Sequence, residues 1–87
     1  MDPYIALTRE VLAEALFGLR CRYALTQEEM AERLRISCRA YSNLERRISC
    51  ASGVTMCFMW SMMDLAEFCA FVRRFVEGVR AIERGER

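Results

Sequence analysis

The side chains with chemistry to offer in this chain are arginines. All thirteen basic residues are arginine, with no lysine and no histidine. Seven of them, Arg20, Arg22, Arg33, Arg35, Arg39, Arg46 and Arg47, fall between residues 20 and 47 against four acids, Glu28, Glu29, Glu32 and Glu45. Residues 1–19 hold one arginine against three acids. The formal net charge of +1 therefore hides a local concentration of cations. Arginine's planar fork donates two parallel hydrogen bonds, a geometry that suits guanine edges and phosphate, so this segment points to a nucleic acid as partner.

Other chemistries find little support. Without histidine, a carboxylate pair beside a nucleophile or a phosphate-cradling glycine loop, no catalytic residue is expected and the chain does not read as an enzyme. The five cysteines, at 21, 38, 50, 57 and 69, form no CxxC pair, so neither a metal site nor a disulfide framework is indicated, and no cofactor is expected. They read as reduced thiols acting as small buried hydrophobes. Cys38 is the alternative case, a thiol beside Arg39 in the first turn of a helix, where dipole and cation favour a redox-responsive thiolate. No apolar run approaches the roughly 20 residues needed to cross a bilayer. The opening MDPYIALTRE is acidic and polar where a signal peptide is basic and then apolar. A soluble, cytoplasmic protein with no membrane partner is the expectation.

The elements that must position these arginines are legible in Thr26 to Arg47, TQEEMAERLRISCRAYSNLERR. Thr26 and Glu29 make a capping box that starts a helix, and Met30, Ala31 and Leu34 share one of its faces. After Arg35-Ile36, Ser37 caps a second helix whose apolar positions are Ala40, Tyr41 and Leu44. Two short helices joined by about three residues must cross steeply, as in a helix-turn-helix. Arg39 stands one residue into the second helix, where base edges are reached.

Gln27 and Ala31 in the first helix, Ile36 in the turn, Tyr41 and Leu44 in the second and the closing Leu44-Glu45-Arg46 together resemble the lambda-repressor-like (Cro/CI, XRE family) helix-turn-helix DNA-binding domain. The resemblance runs from about Arg9 to Met63. It implies an all-α, five-helix fold whose second motif helix enters the major groove. It further implies that Cys38, Arg39 and Asn43 read bases, that Gln27, Arg46 and Arg47 hold phosphates, and that Arg20 and Glu45 form a buried ion pair. Arg35 and Arg47 stand where the family usually has glycine, and Ala51 where it often has proline. At the two arginines either the backbone shifts or strain is carried in return for positive charge near phosphate.

The flanks read as scaffold and surface. Asp2-Pro3 starts a first helix, and Ile5, Leu12, Leu16, Leu19 and Tyr23, widened by Val11 and Ala15, make its buried stripe, from which Phe17 and Gly18 fall away. Gly53 to Met63 is apolar almost all round, so its methionines about Trp60 are core, interface or both. Asp64 and Glu67 open a long C-terminal helix over about 64–84, a second capping box. Its Leu65, Phe68, Val72, Phe75, Val79 and Ile82 recur at 3 and 4 residue intervals, a seam that fits either a homodimer interface or a lid on the chain's own domain. The 54% hydrophobic content, above the roughly 45–50% of ordinary domains, favours a surface covered by another subunit. One domain over residues 1–87, binding double-stranded DNA as a homodimer, is the leading expectation. The alternative is an antitoxin-like or adaptor module of the same fold, binding a protein partner through its Met/Phe-rich C-terminal half.

Overall fold

In the computed structural model, which describes residues 1–86, the chain folds into five helices and has no strand among the described residues. They are α1 (Pro3–Arg22), α2 (Gln27–Leu34), α3 (Cys38–Glu45), α4 (Gly53–Ser61) and α5 (Leu65–Glu83). Every helix opens on a side-chain cap. Asp2 accepts from Tyr4 and Ile5, Ser37 from Ala40 and Ser52 from Thr55, while Thr26 with Glu29 and Asp64 with Glu67 form reciprocal boxes. Such caps supply acceptors for N–H groups that the first helical turn leaves without partners.

Helix ends share a second device. After α1, α2, α3 and α5 the chain turns through a left-handed residue: Ala24 (φ 54°), Arg35 (φ 62°), Arg47 (φ 62°) and Gly85 (φ 76°). At each, paired backbone bonds close the helix, as in Arg35 N–H to the Glu32 carbonyl (3.2 Å) and Ile36 N–H to the Ala31 carbonyl (3.1 Å). This is the Schellman arrangement, for which glycine is the low-energy residue. The backbone at Arg35 and Arg47 has kept the glycine-type geometry and carries the strain, about 1 kcal/mol or more at each. Ala24 shows the same geometry at a position where the sequence raised no such expectation.

The core is built from Leu12, Leu16 and Leu19 of α1, Met30, Ala31 and Leu34 of α2, Tyr41 and Leu44 of α3, and Met59 with Met62 at the end of α4. Truncating one of its fully buried members, Leu16→Ala for example, removes about 2–5 kcal/mol. Two expectations are corrected here. The buried stripe of α1 runs through Leu7, Val11, Leu12, Ala13, Leu16 and Leu19, whereas Ile5 and Tyr23 are exposed. Leu7 displaces Ile5 because α5 covers that side: Gly78 lies against it, so close that a Cβ there would sit 2.4 Å from Leu7 Cδ1. The five cysteines are all exposed, not buried, because they fall outside the faces that leucine and methionine fill.

Helix α5 lies along α1, held by Gly78 on Leu7, by Arg74 bridging Glu10 (3.1 Å) and Glu14 (3.4 Å), and by Arg22 paired with Glu67 (2.5 Å). Its seam divides. Phe75, Val79 and Ile82 are half-buried, whereas Leu65, Phe68 and Val72 are exposed. No helix is long and apolar enough to cross a membrane among the described residues.

Candidate nucleic-acid interface

The outer face of α3 is set by which of its residues face inward. Tyr41 and Leu44 are buried, and at 100° per residue Arg39, Ser42, Asn43 and Arg46 then occupy the opposite side. Arg39 and Arg46 are exposed and Asn43 is half-buried. Cys38 is exposed in the first turn, beside the Ser37 cap. Among the described residues, neither Arg39 nor Arg46 has an acidic partner, while Arg20, Arg22, Arg74 and Arg84 are each paired with a glutamate. Two unneutralised guanidinium groups and a carboxamide thus share one face of a short helix.

That helix is held from beneath by Glu45. Arg20 of α1 donates through Nε to Oε2 (2.7 Å) and through Nη2 to Oε1 (3.2 Å), Gln27 of α2 donates to Oε1 (3.1 Å), and the Tyr41 hydroxyl donates to Oε2. One carboxylate thereby joins three helices. Burial opposes its charge, yet the hydrogen bonds from Arg20, Tyr41 and Gln27 outweigh that and hold the Glu45 carboxyl below the ordinary glutamate range. Tyr41 responds in the opposite sense. Burial first, then the neighbouring carboxylate, pushes its hydroxyl well above the ordinary tyrosine range, so it stays a donor. The expected ion pair of Arg20 and Glu45 is present, with Glu45 the more deeply placed of the two.

The residues expected to hold phosphate, Gln27, Arg46 and Arg47, are arranged unevenly. Gln27 opens α2 and spends one amide hydrogen on Glu45, keeping the other. Arg46 caps the end of α3, and Arg47 follows in the left-handed conformation with its Nη2 3.9 Å from Glu14 Oε1. At that distance, between two exposed groups, the contact contributes little, so a phosphate can replace it. Arg35, the other left-handed arginine, is engaged within the chain. Its guanidinium lies over the Phe58 ring, 4.5 Å from the centroid, and donates to the Arg33 carbonyl (3.2 Å). The strained turn is offset by packing against α4.

Two features escaped sequence reasoning. Tyr41 was legible as an apolar position, but its hydroxyl bond to Glu45 was not; their spacing of four on one helix is the signal that could have shown it. The Arg47 contact with Glu14 joins residues far apart in sequence, and no local pattern announces it. Among the described residues no group of histidine, cysteine, aspartate and glutamate could hold a metal ion. Comparison of the chain with models of protein families, with curated proteins and with solved structures found no match in any of the three.

Proposed function

We propose that this protein is a sequence-specific DNA-binding transcriptional regulator of the lambda-repressor-like type, with α3 as the recognition helix. The observation that carries the reading is the outer face of α3, where Arg39, Asn43 and Arg46 stand without acidic partners among the described residues, on a helix that Glu45 ties to α1 and α2. Arg39 and Asn43 read base edges, for which guanine and adenine are the natural partners. Arg46, Arg47 and the remaining amide hydrogen of Gln27 hold phosphates and set the register, and Cys38 adds a contact at the start of the helix. Acting as a dimer, the protein docks two such helices on a pseudo-palindromic operator with half-site centres about 10 bp apart.

The test is binding to duplex DNA from immediately upstream of the protein's own gene, against random duplex, at about 50 and 200 mM salt. Specific binding that weakens steeply with salt supports the reading. The exposed apolar residues of α4 and α5 favour a second one, a helix-turn-helix fold serving as a protein-interaction module. Weak binding, equal for both duplexes, selects it.

A further inference from the structure

On α5 the exposed Leu65, Phe68, Val72 and Val76 follow one another at intervals of 3, 4 and 4, a single stripe beside the one that meets α1. Trp60 of α4 extends the stripe, its ring edge-on to Phe68 with centroids 5.8 Å apart. Next to them is a cavity of about 260 Å³ lined by Thr8, Val11, Met56, Trp60, Phe71 and Phe75, among others, all apolar but the threonine. Leu65, by contrast, projects, with 78% of its surface exposed. One face of the molecule thus carries both a projecting aliphatic side chain and a recess with aromatic walls.

We infer that this face is covered by a second copy of the chain, with Leu65 and its neighbours on each copy filling the recess of the other. Two arguments select that occupant. A face holding both projection and recess, with no charged group inside it to choose a different partner, is self-complementary, which is the requirement of a two-fold interface. The area also suffices. The five side chains expose about 400 Å² per chain and the cavity walls add to it, so two copies bury on the order of 1,000 Å², the size at which a specific interface begins. Exposed Arg73, Glu77 and Arg80 border the stripe as its polar rim. The contact differs from the seam read in the sequence: Leu65, Phe68 and Val72 take part, whereas Val79 and Ile82 serve the chain's own domain and Trp60 and Val76 join. This interface deepens the DNA-binding reading, in which two copies dock on one operator, while standing on separate geometry.

The experiment is sedimentation equilibrium of the full chain across a concentration series, with the emission of Trp60, the sole tryptophan, followed on dilution. The wild-type chain is expected to dimerise, with Trp60 emission shifting to the red as the dimer dissociates. Leu65→Glu and Val72→Glu each alter an exposed site and are expected to weaken association by roughly 100-fold. Phe17→Ser, at an exposed site on α1 outside this face, should leave it unchanged. Circular dichroism checks that each variant is folded. A chain monomeric at every concentration, or association indifferent to both glutamate substitutions, overturns the inference. A monomer that binds a single half-site specifically rejects this interface and leaves the DNA reading standing. A dimer sensitive to Leu65→Glu that binds no duplex specifically supports the interface and rejects the DNA reading.

Discussion

Arg39, Arg46 and Arg47 carry the same charge in three situations, and their replacements should be distinguishable. Arg39 projects from the first turn of α3 with no acidic partner among the described residues. Arg39→Ala should therefore cost roughly 1–3 kcal/mol of DNA binding and relax the preference at a single base pair, as read by competition among single-substituted duplexes. Arg46 sits at the helix end, so Arg46→Ala should weaken all duplexes alike and lower the slope of log affinity against log salt by about one. Arg47→Gly does two things at once. It releases the left-handed strain at φ 62°, raising stability by up to about 1 kcal/mol, and removes the phosphate contact proposed for this residue. Thermal unfolding and DNA titration should move in opposite directions. At Arg35 the same substitution also removes the stacking on Phe58, so its gain in stability should be smaller or absent.

At the scale of elements, α1 and α5 form the pair on which the rest is mounted. Gly78 lets them touch, and Gly78→Ala would place a methyl group 2.4 Å from Cδ1 and 3.1 Å from Cγ of the fully buried Leu7, so that the leucine must shift. Overpacking of this kind costs about 1–3 kcal/mol, offset by roughly 1 kcal/mol of helix propensity. A lower denaturation midpoint, with faster amide exchange in α5, is the expected result. Element starts were legible because their signals are local: Asp2, Thr26, Ser37 and Asp64 each bond an amide two or three residues ahead. What depends on a neighbouring helix was less legible. Ile5 and Leu7 are equally apolar, and only the approach of α5 decides which is buried. The cysteines follow the same rule, since their burial depends on whether larger side chains have already taken the inner face. In the candidate site, the residues of α3 and the Arg20–Glu45 pair were readable by position. The occupation of Gln27 by Glu45 and of Arg35 by Phe58 required the assembled helices.

Across the whole molecule, carboxylates do the joining, which makes stability a function of pH with a definite sign. Glu45 links α1, α2 and α3, and Glu67 links the start of α5 to Arg22 of α1 and to its own cap at Asp64. Hydrogen bonding to Arg22 and the Asp64 backbone lowers the Glu67 carboxyl, as the bonds to Glu45 lower that group against the opposing effect of burial. A carboxyl whose folded pKa lies below its unfolded value, about 4.3 for glutamate, stabilises the fold while both states are ionised and loses that contribution as the unfolded chain takes up protons first. Stability measured by urea unfolding should therefore be nearly level from neutral pH down to about pH 5 and fall at lower pH until the folded carboxyls also protonate. Glu45→Gln isolates the hub. It keeps the shape but removes the charge that Arg20 and Tyr41 address, so the variant should be less stable by roughly 1–3 kcal/mol at neutral pH. The difference should then shrink below about pH 5, where wild-type Glu45 is being neutralised as well. A constant offset between the two curves at every pH would mean that Glu45 acts through packing alone. Convergence at acid pH would place the coupling of the three helices, and with it the mounting of α3, in one ionised carboxylate.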